Sequence, residues 1–213
     1  MKVALIGATG YVGSRILSEA LNRGHQVTAI VRNIEKLPPH PQLSAAKCDV
    51  SNGDAVTGVV VGRDAVISAF NPSRGGRDKN TPQIGAIRSL IDGMKKAAVK
   101  RLLVVGGAGS LEVASGLQLV DTPDFPPLWK AGSLATREVL NILRSEHELE
   151  WSFLSPSAIL EPGQRTGQFR LGTDQLLVDR TGQSKISLED YAMAMVDELE
   201  NPKHIRQRFT VGY

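Results

Sequence analysis

Three glycines at three-residue spacing, Gly7, Gly10 and Gly13, are the residues with the clearest chemistry in this chain. They follow the continuous apolar run Val3-Ala4-Leu5-Ile6, which predicts a short buried strand. Beyond them, Val12, Ile16, Leu17, Ala20 and Leu21 form an apolar stripe that predicts a helix over 11–22, stopped by Gly24. A glycine turn between strand and helix leaves backbone N–H groups facing open space, and the helix dipole adds partial positive charge there. Such a turn suits a pyrophosphate. Gly7 permits the sharp turn, Gly10 lets phosphate approach the backbone, and Gly13 lets helix and strand pack closely. Thr9, Tyr11 and Val12 complete this candidate cradle. The spacing is G-x-x-G-x-x-G rather than G-x-G-x-x-G, and no Gly-Lys-Ser/Thr ends it, so it is not a Walker A loop. A strand–helix turn without a ligand is the other reading of the triplet.

A second candidate lies at Arg32, the end of a strand predicted over 26–31. In a dinucleotide fold that position faces the adenosine ribose. An acid there bonds the 2′-hydroxyl of NAD, whereas an arginine favours the 2′-phosphate of NADP. Arg32 therefore reads either as a preference for NADP(H) over NAD(H) or as a solvated strand end, with Lys36 as a possible assistant. Asp49 follows the third predicted strand, 43–47, and either lies near adenine or caps the turn through Ser51, Asn52 and Gly53. The fourth strand, 64–70, ends on Ser68-Ala69-Phe70, which would run under the cofactor.

These residues need a scaffold, and the pattern around them supplies one. A short helix is expected over 54–61, a long one over 82–99, a strand over 102–105 ending in Gly106-Gly107-Ala108-Gly109-Ser110, and a helix over 134–145. A strand over 151–154, a helix over 188–200 capped by Ser187, and a strand over 208–211 close the chain. Strands and helices that alternate in this way argue an α/β doubly wound parallel sheet in a single domain, 1–213. Three stretches lack periodicity, about 71–82, 108–130 and 161–185. In such folds the crevice lies outside the carboxyl ends of the strands, so these stretches are expected to build its substrate side. The first holds Ser73 to Asn80, a polar, glycine-rich segment that is either a lid or a plain surface loop. The second is expected to carry a hairpin turning at Ser115-Gly116 and an extended Pro123–Pro127 loop with Phe125. The third is expected to be a hairpin carrying Phe169 and Leu176-Leu177-Val178.

Composition narrows the classes. At 213 residues, 41% hydrophobic and 22% charged, the chain has an ordinary soluble composition with enough length for a full core. No apolar run approaches the roughly 20 residues that span a bilayer, and Met1-Lys2 leads straight into a strand, so neither a membrane partner nor a signal peptide is expected. Cys48 is the single cysteine, which excludes an internal disulfide and fits a reducing cytoplasm. The net charge of +3 is scattered, with few aromatics among the cations, and no nucleic-acid partner is expected. His25, His40, His147 and His204 are too dispersed for a metal set, and Gly107-Ala108-Gly109-Ser110 lacks the order of a nucleophile elbow.

Six segments resemble the atypical short-chain dehydrogenase/reductase superfamily, in its order and over nearly the whole chain. They are Gly7-Ala8-Thr9-Gly10-Tyr11-Val12-Gly13, Ile30-Val31-Arg32-Asn33, Cys48-Asp49-Val50, Val104-Val105-Gly106-Gly107-Ala108, Trp151-Ser152-Phe153-Leu154-Ser155-Pro156 and Ile186-Ser187-Leu188-Glu189-Asp190-Tyr191-Ala192. Within that superfamily the chain is most similar to a small bacterial group labelled NADH-flavin reductases, related to NmrA-like proteins and to biliverdin-IXβ reductase. The resemblance implies a Rossmann-type sheet and a cofactor site that adds Val50, Ala69, Phe70, Gly106, Gly107 and Pro156 to the residues above.

Most members of the superfamily use a Tyr-x-x-x-Lys pair, the tyrosine protonating a carbonyl oxygen and the lysine lowering its pKa. Where the resemblance places that pair, this chain has Lys130 and Leu134. Reduction of a flavin or quinone does not need the pair, because the acceptor ring delocalises the charge and positioning supplies much of the catalysis. The expectation is thus an NAD(P)H-dependent oxidoreductase, NADP(H)-preferring, that reduces a planar acceptor, with FMN or FAD as substrate. The alternative is an NmrA-like NADP(H)-sensing regulator without turnover. A third reading is an enzyme acting on a small carbonyl compound or a lignan-like aromatic, with Ser110 or Lys130 as proton source. Ser110 is the candidate catalytic residue, since it follows the strand that carries the catalytic serine in relatives. Its other reading is a loop hydroxyl bonded to local backbone. Phe70, Phe125, Trp129 and Phe169 are candidate pocket aromatics or packing residues, and Arg74, Arg77, Arg165 and Arg170 are candidates to receive a flavin phosphate. A monomer or weak homodimer is expected.

Overall fold

A computed structural model describes residues 1–72 and 81–213. The first half of the chain runs β1 (Lys2–Ile6), α1 (Gly13–Asn22), β2 (Gln26–Ile30), β3 (Leu43–Ala46), α2 (Gly53–Val60), β4 (Ala65–Ser68), α3 (Thr81–Lys96) and β5 (Arg101–Val105). The second half runs β6 (Glu112–Ala114), β7 (Leu117–Gln118), α4 (Pro127–Arg144), β8 (Glu150–Ser155), β9 (Ile159–Glu161), β10 (Arg170–Gly172), β11 (Lys185–Ser187), α5 (Leu188–Glu200) and β12 (Gln207–Gly212).

The central sheet has the order β3-β2-β1-β4-β5-β8-β12-β10. Its strands are parallel except for β10, which pairs antiparallel with β12 at the edge. This is the expected Rossmann-type doubly wound sheet. The chain winds outward from β1 to β3 on one side, then crosses to β4 and winds the other way. The topological switch therefore lies between β1 and β4, and the crevice for a dinucleotide opens above it.

The inner strands read as unbroken apolar runs because both faces are covered. On one face Ile16, Leu17 and Ala20 of α1 pack with Tyr191, Met195 and Leu199 of α5. On the other, Val56 and Val60 of α2, Ile87, Leu90 and Met94 of α3, and Val139, Leu140 and Leu143 of α4 form the second core. Each buried valine, leucine, isoleucine or methionine among them contributes about 1.5–3 kcal/mol. Tyr191 is fully buried, and its hydroxyl donates to the Leu154 carbonyl over 2.7 Å. That burial pushes its phenol well above the ordinary range. The cap of α5 is the expected one, with Ser187 Oγ accepting from the Asp190 N–H at 3.0 Å.

Two expectations are corrected. Helix α4 begins at Pro127, not Leu134, and absorbs part of the stretch expected to be an extended loop. Proline is tolerated in the first turn because the N–H it lacks would have no intrahelical partner there. The stretch 161–185 is not a hairpin. β9 pairs parallel with β11, β10 pairs with β12, and Leu176-Leu177-Val178 lies in no strand. Its β-formers found partners far away in sequence instead of one another. The Ser115-Gly116 turn is as expected: β6 and β7 pair antiparallel around Gly116, whose φ is +75°.

Candidate functional site

The glycine turn sits where β1 ends. Gly7 has φ +80°, and its N–H donates to the Ile30 carbonyl at 3.2 Å, tying the turn to β2. A Cβ on Gly7 would stand 2.6 Å from the Ala69 carbonyl oxygen, so the backbone after β4 runs directly beneath. A Cβ on Gly13 would stand 2.1 Å from the Gly7 oxygen, so helix and turn are in contact at that point. Gly10 differs: its Cβ would meet only the Gly7 oxygen, at 3.1 Å, and otherwise open space. Thr9, Gly10 and Tyr11 are exposed and Val12 is half-buried. Helix α1 starts with neither a side-chain cap nor an acidic residue in its first turn. Its positive end thus has no acidic side chain in the first turn, and the exposed Gly10, whose Cβ would otherwise reach open space, leaves the backbone before it accessible. These residues fit a pyrophosphate.

On the adenosine side, Arg32 is exposed just past β2, and no ion pair among the described residues holds it. The next residue turns the chain away, with Asn33 Oδ1 accepting from the Glu35 N–H at 3.0 Å. Asp49 is exposed and accepts from Ser51 Oγ at 2.7 Å and Ser51 N–H at 3.0 Å. Those bonds hold its carboxyl below the usual range, so Asp49 caps its own turn. Val50 and Phe70 line a cleft with Ile6, Ser68, Gln83 and Ile87 at the carboxyl ends of β1 and β4. The Ala69 N–H continues the β1–β4 pairing, donating to the Ile6 carbonyl at 2.9 Å.

Across the switch point, Gly106 and Gly107 follow β5. The Gly106 N–H donates to the Leu154 carbonyl at 2.8 Å, and its Cβ would stand 2.3 Å from the Phe153 ring. Gly107 lies against Thr136 and Gly109 against Ser133, so this loop is laid flat on α4. Pro156 is buried just past β8. Ser110 is buried, and its hydroxyl meets a distant side chain rather than local backbone. It is 2% exposed, and Arg208 Nη1 approaches both its carbonyl (3.2 Å) and its hydroxyl (3.4 Å) from within. Arg208 is in turn held by Asp174, with Nε–Oδ1 2.8 Å. Ser110 thus anchors the turn before β6 and does not open onto the crevice, which corrects its candidacy as a catalytic group.

Helix α4 presents no tyrosine toward the crevice. Lys130 is exposed and Leu134 half-buried. Because α4 links the parallel strands β5 and β8, it runs opposite to them, and its first turns overhang their carboxyl ends. Thr136, Leu140 and Leu143 form its buried stripe. Trp129 falls on the same stripe about two turns before Thr136. There the sheet has ended, and Trp129 is left 59% exposed, with Leu128 69% exposed beside it. Phe125 is half-buried, while Phe70 and Phe169 pack against the two cores.

The arginines expected to receive a flavin phosphate are placed elsewhere. Arg165 binds Glu19 on α1 through two bonds, Nε–Oε2 2.8 Å and Nη2–Oε1 2.7 Å. Arg170 Nη2 donates to the carbonyls of Val178 and Tyr213. Both are committed to protein acceptors: Arg170 belongs to β10, and Arg165 to a 163–167 strap that is tied to α1 and α5. Gly163 N–H donates to Glu189, and Thr166 and Gly167 bond Asp190. Arg74, Arg77 and the candidate lid at 73–80 lie outside the described residues. Cys48 is half-buried, and its thiol is pushed up, first by burial and then by the Asp49 charge.

Gln83 is a buried polar residue of the cleft lining that the sequence did not single out, although its register marks it. It stands one turn before Ile87 on the apolar stripe of α3, a polar residue in a core register.

Residues 7–202 match a family model described as NAD(P)H-binding. The chain is 42% identical, over 99% of its own length and 98% of the relative's, to the uncharacterized protein YwnB of Bacillus subtilis strain 168. It is similar to a crystal structure from Bacteroides thetaiotaomicron, provisionally called an epimerase, with TM-score 0.93, 51% identity and coverage of 100% of this chain and 96% of that one. It is also similar to a structure from Streptococcus pneumoniae TIGR4, provisionally called an NADH-flavin reductase, with TM-score 0.86, 36% identity and coverage of 100% and 99%.

Proposed function

We infer that this chain, which belongs to the NAD(P)H-binding family, is an oxidoreductase that passes hydride from NADPH to a planar acceptor, a flavin or a quinone. The observation that carries this reading is a full dinucleotide cradle facing an α4 whose crevice end offers Trp129, Lys130 and Leu134 in place of a tyrosine–lysine pair. A ketone needs an acid beside its oxygen as the hydride arrives. A flavin or quinone spreads the incoming charge over its rings, so the protein has mainly to hold two planar groups face to face.

The cofactor supplies the hydride; the chain's own residues bind and orient. The Gly7–Gly13 turn and the first amides of α1 take the pyrophosphate. Arg32 takes the 2′-phosphate, standing at the strand-end position where an acid would repel that group. Val50, Ala69 and Phe70 bound the adenine side. Gly106 and Gly107 carry no side chain into the nicotinamide half, and Pro156 closes that end. Trp129 is the wall for the acceptor. Among the described residues no helix is long and apolar enough to cross a membrane. We place the activity in the cytoplasm, on small molecules, in a monomer or weak homodimer.

Purified protein is expected to accelerate NADPH oxidation in the presence of FMN or a quinone. No rate above background across a panel of such acceptors overturns the reading. If NADPH binds in that case, the sensor reading takes its place. It calls for a protein partner captured by pull-down and released by NADP⁺ but not NADPH.

A further inference from the structure

The sheet has a second edge, at the amino ends of its strands and opposite the glycine turn. Lys2 opens β1, Gln26 opens β2, and Arg63 stands just before β4. Lys2 pairs with Gln26, and Thr28 pairs with Ser44 on β3. Alternation along the strands puts these four side chains on one face. It is the face on which Ala4, Ile6 and Ile30 are covered by the helices of the second core. At the strands' amino ends that apolar cover gives way to a groove of about 370 Å³, with Lys2, Gln26, Thr28, Gln42, Ser44 and Arg63 as its polar lining. No acidic residue is among the described residues that line it.

Neither cation has a counter-ion. Among the described residues no carboxylate lies within ion-pair distance of the Lys2 ammonium or the Arg63 guanidinium. The neighbouring acid, Asp64, accepts from the Lys2 N–H at 2.6 Å and does not line the groove. Arg63 is half-buried, and its Nε is shut off from solvent without a hydrogen-bond partner. A partly desolvated cation with no counter-ion is costly, and an anion in the groove offsets that cost. Beside the cations, Thr28 Oγ1 and Ser44 Oγ share one hydrogen bond of 3.0 Å. That bond uses one hydroxyl proton. The other has at best the Val27 carbonyl, 3.5 Å from Ser44 Oγ, so a donor is left for a ligand. Gln42 gives its Nε2 to the Gly24 carbonyl at 3.2 Å and keeps its Oε1 as an acceptor.

We propose that this groove binds a small hydroxylated phosphate monoester, such as a sugar phosphate. Lys2 and Arg63 neutralise the phosphate, the hydroxyl pair donates to it, and the Gln26 and Gln42 amides meet the ligand's hydroxyls. The volume is that of a small-molecule site. The groove lies at the opposite edge of the sheet from the dinucleotide crevice, so the assignment does not depend on the function proposed above.

Titration of the full chain with ribose 5-phosphate at low salt, followed by NMR of the backbone amides, tests it. Saturable shifts are expected at Val27, Thr28, Ser44 and Arg63, and not along the Gly7–Gly13 turn. Ribose, which lacks the phosphate, is expected to leave these amides unmoved. Lys2→Gln and Arg63→Gln are each expected to weaken the ester about tenfold. Shifts that never saturate, shifts confined to the glycine turn, or ribose bound as tightly as its phosphate overturn the assignment. An unchanged affinity in Lys2→Gln overturns it too, and that variant alters an exposed side chain, so the result stands whether or not Arg63→Gln folds.

Discussion

Gly13 and the Gly7 carbonyl stand so close that a Cβ on Gly13 would lie 2.1 Å from that oxygen and 2.8 Å from its carbon. Both atoms are backbone, so no side chain can yield. Gly13→Ala is expected to destabilise the fold by about 2 kcal/mol or more and to lose NADPH. Gly10→Ala is the informative contrast. Its Cβ meets only the Gly7 oxygen, at 3.1 Å, so the melting temperature should fall little while NADPH affinity drops more than about tenfold. Thermal melts read beside calorimetry separate the two effects. A Gly10→Ala protein that binds NADPH like the parent would mean that no phosphate approaches the turn there.

Arg32 is expected to decide the coenzyme. A guanidinium on a 2′-phosphate makes charge-assisted bonds of about 1.5–3 kcal/mol, or about ten- to hundredfold in affinity. The unaltered protein should therefore bind NADPH more tightly than NADH, and Arg32→Ala should erase the difference by weakening NADPH alone. Equal dissociation constants for the two coenzymes in the unaltered protein would reduce Arg32 to a solvated strand end.

Glu19 sets a pH limit on the strap over α1 and α5. Hydrogen bonds from Arg165 hold its carboxyl below the ordinary 4.5, burial opposes them, and Arg23 adds to the lowering. A carboxylate lowered on folding contributes stability above its unfolded pKa and loses it as pH falls through the folded value. Glu19→Gln should thus be less stable at neutral pH by about 1–2 kcal/mol, discounted because Arg165 is half-exposed. Its stability should also fall less than the parent's between about pH 5 and pH 3. Denaturant melts across that range check this, and parallel curves for the two proteins would show that Glu19 is not lowered.

What was legible in the sequence was local. Val3 to Ile6, the glycine turn, the α1 stripe and the Ser187 cap are decided by neighbours within a few residues, and each has its expected place. What was not legible depends on partners far along the chain. Arg165 lies 146 residues from Glu19, and nothing in its surrounding sequence distinguishes an arginine bound for a phosphate from one bound for a helix. Ser110 reads as a loop hydroxyl until Arg208 arrives from β12, 98 residues later. The start of α4 was hidden because Pro126-Pro127 reads as a break, whereas proline in the first turn of a helix is compatible with it.

Trp129 provides the sharpest test of the substrate side. The chain has two tryptophans. Trp151 is 2% exposed, its indole N–H held by the Glu146 carbonyl at 3.1 Å, while Trp129 is 59% exposed at the crevice end of α4. Quenching of the solvent-exposed emission component on addition of FMN to the NADP⁺-loaded protein would therefore report on Trp129. A stacked aromatic pair contributes about 0.5–1.5 kcal/mol, or roughly two- to tenfold. Trp129→Ala is accordingly expected to raise the acceptor KM by that factor and leave the NADPH dissociation constant unchanged, because the residue lies beyond the cofactor cradle. Trp129→Phe keeps a ring and should recover most of the loss. An acceptor KM that is the same in Trp129→Ala and the parent would remove Trp129 from the site, even if reduction of FMN itself proceeds.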